Sequence, residues 1–236
     1  MIPIEENTLF ILFKRGKTED IKNLFEKGEV YINTVDFIRN CDNNQERSDP
    51  NDSILKRQFL GDAKVKMCDV GLDINKFGIL FNGKNCVINI DRNDNGNIYC
   101  LSGIYTKDLM DKTELTEFKT KTFGESLIVI SNPQKFIQRV KKGLLEAGYK
   151  DIKYAQVEYY PNDYSGYIGV FKKHKDFSHQ NEFRFYVPNA GNKPIKIYIG
   201  SIKDIAIMKE SCFLRFKFTD DQIKTFMLIW WLTRWK

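Results

Sequence analysis

Gln180, Glu182 and Arg184 stand two residues apart in the stretch FKKHKDFSHQNEFRFYV, which runs from Phe171 to Val187. Alternate residues of a strand share a face. From His179 onward the spacing turns Phe183, Phe185 and Val187 to one side and Gln180, Glu182, Arg184 and Tyr186 to the other. Along such a strand Gln180 and Glu182 would lie about 7 Å apart. A strand with an apolar anchor and a wet, polar face holds a carboxylate and an amide rigidly over a cleft. The same pattern also suits a plain ion pair between Glu182 and Arg184 on a solvated sheet, worth ~0–1 kcal/mol.

Other chemistry is narrowed by what the chain lacks. It has no P-loop Gly-Lys-Ser/Thr sequence, no GxGxxG, no GxSxG elbow and no HExxH. His174 and His179 are its only histidines, which argues against a multi-histidine metal site. Cys41, Cys68, Cys86, Cys100 and Cys212 form no C-x-x-C pair, and their odd number suits neither a zinc knuckle nor a disulfide framework. A reducing, cytoplasmic compartment is expected. Asp42, Glu46, Asp49 and Asp52 lie in the polar run NCDNNQERSDPNDS, from Asn40 to Ser53. They lack the EF-hand spacing and its terminal Glu, so no metal is expected there. The run reads as a long loop, a functional lid or a mobile segment.

The elements that must position these groups follow from periodicity. Thr8 to Lys14 is an apolar strand, with Arg15-Gly16 at its end. Thr18 reads as the cap of a helix along Ile21, Leu24 and Phe25 that ends at Gly28. Val30 to Thr34 is a second strand, with Asn33 near its end. Lys64 to Val70, Phe77 to Phe81 and Cys86 to Ile90 are short strands, the last two joined by an Asn82-Gly83 turn. Ile98 to Ser102 is another, and Ser102-Gly103 presents either a hydroxyl and bare backbone to a ligand or an ordinary turn. Ser126 to Ile130 is a buried strand. Asn132 and Pro133 open a helix whose apolar face is Phe136, Ile137, Val140, Leu144 and Leu145, closed by Gly148. Ile152 to Tyr159 is strand-like.

Tyr159, Tyr160, Tyr164 and Tyr167 crowd the next loop. They suit stacking on an adenine or nicotinamide ring, or a packing lid. Ile195 to Gly200, Ile205 to Met208 and Leu214 to Phe218 are further strands. Thr219 and Gln222 form a capping box for a terminal helix, about 219–235, that carries Trp230 and Trp231. Its wide apolar face packs in the core or docks a partner.

With 236 residues, 42% hydrophobic and 29% charged, the chain is a folded protein within single-domain range. The net charge of +6 suits an anionic ligand or nucleic acid without requiring either. No secretory signal opens it, and the richest apolar run, Phe226 to Leu232, is too short to span a bilayer. A bias toward Lys, Ile and Asn suggests an AT-rich coding source such as a phage or mobile element.

Two resemblances follow from these stretches. "YINTVDF", "IYCLS", "FGESLIVI", "VFKKHKDFSHQNEFRFYV" and "IKIYIGS", in that order over residues 8–208, look like a widespread, largely uncharacterised bacterial family. Phe177 stands where that family usually has Trp, and Gln180 where it has its first Glu. Gln180-Asn181-Glu182 also resembles the Q-x-E element of arginine-type ADP-ribosyltransferases. That likeness implies that Glu182 grips the nicotinamide ribose of NAD and Gln180 steers the acceptor. Arg15 matches the arginine that ends the first strand, and Ser102 the serine of a middle strand that usually reads Ser-Thr-Ser. Asn33 and Tyr164 are added as cofactor-side candidates.

The fold expected is one α+β domain over residues 1–236, ADP-ribosyltransferase-like. It has a bent, mostly antiparallel sheet and about three helices, with Arg15, Ser102 and Glu182 converging on one cleft. The function expected is an NAD-dependent transferase-like effector, of toxin or phage-defence type, modifying nucleic acid or protein. A non-catalytic nucleotide- or partner-binding module is the alternative.

Overall fold

A computed structural model describes residues 8–40, 49–66, 79–91, 96–105, 108, 114–115, 123–188, 190–191, 193–210 and 216–217. The chain begins with strand β1 (Leu9–Gly16), helix α1 (Thr18–Lys27), strand β2 (Glu29–Thr34) and the short helix α2 (Val35–Arg39). Two long strands follow, β3 (Lys56–Lys66) and β4 (Ile79–Ile90), then β5 (Asn97–Tyr105), β6 (Glu114–Leu115) and β7 (Ser126–Ile130). Helix α3 (Pro133–Glu146) leads to β8 (Lys153–Gln156), β9 (Glu158–Tyr160), β10 (Gly166–Tyr167) and β11 (Lys172–His174). A 3-10 turn, Lys175–Gln180, precedes β12 (Glu182–Val187), β13 (Ile195–Tyr198), β14 (Ala206–Glu210) and β15 (Phe216–Lys217).

The main sheet runs β13-β2-β5-β1-β7-β14, with β12 added to β5 and β8 to β12. Among the described pairings only β11 with β9 is parallel. The architecture is α+β and mostly antiparallel, with few helices. Both longer helices press on one face of this sheet. Ile21 and Leu24 of α1 and Phe136, Val140 and Leu144 of α3 join Tyr99, Leu101, Phe183, Phe185 and Val187 in one core. Each such apolar side chain contributes about 1.5–3 kcal/mol on burial.

Local chemistry explains the helix ends. Asn132 accepts the Lys135 N–H at 3.0 Å, and Pro133 follows at the first helical position, where its missing N–H costs nothing. Gly28 ends α1 in the left-handed region, at φ 66°. A Cβ there would sit 2.0 Å from the Gly200 carbonyl oxygen, so only glycine fits.

Several expectations need correction. Thr18 does not cap α1. Lys17 holds the cap position, and the Thr18 hydroxyl bonds Glu125 at 3.1 Å instead. Asn82-Gly83 is not a turn. It lies inside β4, paired with Lys64 and Ala63, and Asn85 takes the positive φ nearby, where the register shifts. Ser102-Gly103 is not a turn either, since β5 continues to Tyr105. Leu145 points outward, 51% exposed, and Gly143 takes the buried position on α3. The Thr34 hydroxyl accepts the Phe37 N–H at 3.1 Å and so caps α2. The helix expected over about 219–235, with Trp230 and Trp231, lies outside the described residues.

Candidate functional site

The cleft arises from a split in the sheet. On one edge of β5, β1 pairs Phe13 with Ser102 and β2 pairs Asn33 with Ile98. Between them Tyr99, Cys100 and Leu101 have no strand neighbour on that edge among the described residues, because β1 leaves to follow β7. Lys14 reaches into the gap, and its Nζ donates to the Cys100 carbonyl at 2.8 Å. The other edge of β5 is covered by β12, which pairs Glu182 with Ser102 and Arg184 with Cys100.

The resulting hollow is about 560 Å³. Arg15, Asn33, Ser102, Gln180 and Glu182 all line it. Tyr164 does not. Its ring packs on Tyr160 with centroids 5.4 Å apart, over Ile54 and Ile168, and its hydroxyl donates to the Tyr167 carbonyl. The second hollow, beside α3 and Gly200, is lined by Arg139, already bonded to Asp204 at 2.9 and 2.6 Å.

The polar face of β12 is not wet, contrary to expectation. Glu182 is 4% exposed and Arg184 fully buried. Residues 49–55 and the segment around Val170 cover them. Arg184 donates to both Asp52 oxygens, at 2.7 and 2.6 Å, to the Val170 carbonyl at 2.9 Å and to Glu182 Oε1 at 2.5 Å. Lys173 Nζ donates to Gln180 Oε1 at 2.9 Å and to Glu182 Oε2 at 3.4 Å, and lies 3.6 Å from Asp52. Two carboxylates and two cations thus balance in the dry interior, as buried charges must.

Gln180 also departs from the strand pattern. It ends the 3-10 turn, and Asn181 then takes a left-handed backbone, φ 40°. The Asn181 amide donates to the Gly103 carbonyl at 2.8 Å and to Asp108 at 2.7 Å, which pins this kink to β5. The kink turns Gln180 back so that Lys173 joins it to Glu182.

The cluster sets the ionisation of its members. Burial works to raise the pKa of Glu182, but Arg184 and Lys173 outweigh it and hold the carboxyl below its ordinary range. Asp52 is likewise held down by Arg184 and Lys173 against burial. Burial pushes the Cys100 thiol far up, helped by the Glu182 charge, so it remains a protonated donor to that carboxylate. Tyr159 accepts the Glu182 backbone N–H at 2.9 Å. The result is an ionised carboxylate in a cleft that Lys14, Arg15 and Lys17 also line. The Glu182 charge is already met by Arg184 and Lys173, while the basic side chains around Arg15 attract anionic groups into the cleft.

Asp52, Lys173 and Cys100 were not singled out from the sequence as site residues. Asp52 is the second-last residue of a polar run that gives way to the apolar Ile54-Leu55, the one signal that this end of the run turns inward. Among the described residues no helix is long and apolar enough to cross a membrane. Compared with protein-family models, with curated proteins and with solved structures, the chain matches none.

Proposed function

We propose that the chain is an NAD-dependent ADP-ribosyltransferase-like effector of toxin or phage-defence type, acting in the cytoplasm on nucleic acid or protein. One observation carries the reading: Arg15, Asn33, Ser102, Gln180 and Glu182, scattered over the sequence, line a single cleft. Its volume suits a ligand of this size. In this reading the bond between nicotinamide and ribose breaks and its electron pair leaves with nicotinamide. Glu182, ionised, accepts a hydrogen bond from the ribose and stabilises the positive sugar carbon. The acceptor's nucleophile, steered by Gln180, then bonds to that carbon and releases its proton to water. Arg15 holds the pyrophosphate, and Asn33 and Ser102 contact the sugars. Docking of an antitoxin or other partner through Trp230 and Trp231 belongs to the same reading.

The test is transfer of label from NAD. Wild-type and Glu182→Gln protein are incubated with cell extract, and aliquots are treated with protease or nuclease. Label that the variant loses by about 100- to 1000-fold supports the transferase and identifies the acceptor class. Equal NAD consumption by both proteins refutes the mechanism.

A non-catalytic nucleotide- or partner-binding module is the second reading, and one observation favours it. Both Glu182 oxygens are already engaged, by Arg184 and by Lys173, and its side chain is 5% exposed. In that case the ion cluster is a strut and the cleft binds an anion through Arg15 and its neighbours. Calorimetry that finds NAD bound and never consumed selects this reading.

A further inference from the structure

Beside the cleft mouth the sheet turns large aromatic rings to solvent. Val30 and Ile32 of β2 are buried, so Glu29, Tyr31 and Asn33 occupy the opposite face. The register with β13 sets Lys196 beside Tyr31 and Tyr198 beside Glu29. Tyr31 and Tyr198 are therefore diagonal neighbours, about 7–8 Å apart. Tyr31 is 47% exposed, Tyr198 59%, and Phe37, which shares the cleft mouth with Tyr31, 52%.

Contacts within the strip hold it in place. Lys196 Nζ lies 5.9 Å from the Tyr31 ring centre and 2.9 Å from Glu29. The Tyr198 hydroxyl donates to Glu29 at 3.1 Å. Single exposed aromatics are ordinary. Two neighbouring rings on the sheet, with a third at the mouth of the cation-lined cleft that Tyr31 shares, call for a ligand. Lys14, Arg15, Lys17 and Lys196 line that cleft with only Asp20, Glu29 and Glu182 as acids, and the whole chain carries +6.

We propose that this strip is a track for single-stranded nucleic acid. The bases stack on Tyr198, Tyr31 and Phe37, and the phosphates run by Lys196 toward Lys17 and Arg15. Every base has a flat face, so rings interleaved with cations grip a strand without reading its sequence. A duplex hides those faces. An acidic protein surface would satisfy the cations and leave the rings unused. The track goes beyond the transferase reading, since it needs no chemistry in the cleft; if both hold, the acceptor is nucleic acid.

The test uses fluorescein-labelled single strands of about 12 nucleotides, in DNA and RNA versions, followed by anisotropy. Single strands bind more tightly than their duplex, and binding weakens as salt rises. Tyr31→Ala and Tyr198→Ala each weaken it about tenfold. Lys196→Gln lowers the salt slope by about one. These side chains are exposed, so the variants fold. Absence of binding, or binding that neither tyrosine substitution weakens, overturns the track. A solution dimer that Tyr31→Ala disperses also overturns it, because a second copy then covers the strip. The assay contains no NAD, so its outcome is independent of whether NAD is consumed.

Discussion

Arg184 grips Asp52 through two parallel hydrogen bonds, across 132 residues of chain. The guanidinium is fully buried, and it also holds Glu182. Asp52 therefore does two things. It ties the end of a polar segment to the strand below, and it supplies a second negative charge to a guanidinium that would otherwise rest on Glu182 alone. Three variants separate these effects.

Removing the cation is expected to be the most damaging. Arg184→Met leaves Asp52 and Glu182 buried with only Lys173 between them. A loss of about 3–5 kcal/mol is expected, read from urea unfolding midpoints. A loss below about 1 kcal/mol would show that the pair is solvated in solution.

Asp52 and Lys173 push Glu182 in opposite directions. Asp52→Asn removes a neighbouring negative charge, so the Glu182 pKa falls further. Lys173→Met removes a positive one, so it rises. Carboxyl-carbon NMR of labelled glutamate measures both. Where Asp52→Asn alone does not fold, the neutral pair Asp52→Asn with Lys173→Met is compared with Lys173→Met, and the double variant shows the lower pKa. Shifts of one sign in both variants contradict this electrostatic account.

Acid should loosen the protein through the same groups. The folded pKa values of Asp52 and Glu182 are lowered by Arg184 and Lys173, which outweigh burial. The stability they contribute is present above their unfolded values, about 3.9 and 4.3, and is lost as pH falls from there through the folded ones. Asp49 has the reverse sign. It is 2% exposed, and burial raises its pKa, helped by Asp52, so ionising it at neutral pH destabilises the fold. Asp49→Asn keeps an oxygen for the Asn51 N–H. It should stabilise the protein at neutral pH, with the gain shrinking on acidification. Urea midpoints from about pH 7 to about pH 3 follow both trends.

Asn181 should discriminate backbone strain from side-chain bonding. Its φ of 40° disfavours a Cβ, and its amide bonds Gly103 and Asp108. Asn181→Gly loses the bonds but keeps the conformation, whereas Asn181→Ala loses both. Alanine is expected to cost about 1–2 kcal/mol more than glycine. Equal losses would place the whole effect in the hydrogen bonds.

Much of the framework was legible in the sequence, because it rests on local rules. The apolar runs Thr8 to Lys14 and Ser126 to Ile130 fall in strands, Leu9–Gly16 and Ser126–Ile130, and the Asn132-Pro133 pair starts a helix, since each signal acts within a few residues. Q-x-E, Arg15, Asn33 and Ser102 were also visible as residue types. Their meeting in one cleft depends on β1 and β2 parting along the same edge of β5. No local signal marks that split.

Tertiary structure alone decided what the polar face of β12 is. Alternation fixes which side chains share a face, but not what covers it. Glu182 and Arg184 read as a solvated pair until Asp52, brought in from a distant segment, and Lys173, from the neighbouring strand β11, bury them with matched charge. Burial without such partners would cost more than the fold could supply. Asp52 lies 132 residues from Arg184, beyond the reach of any pattern of spacing, and Lys173, though in the same stretch as Glu182, stands on the separate strand β11, folded back by the 3-10 turn between them.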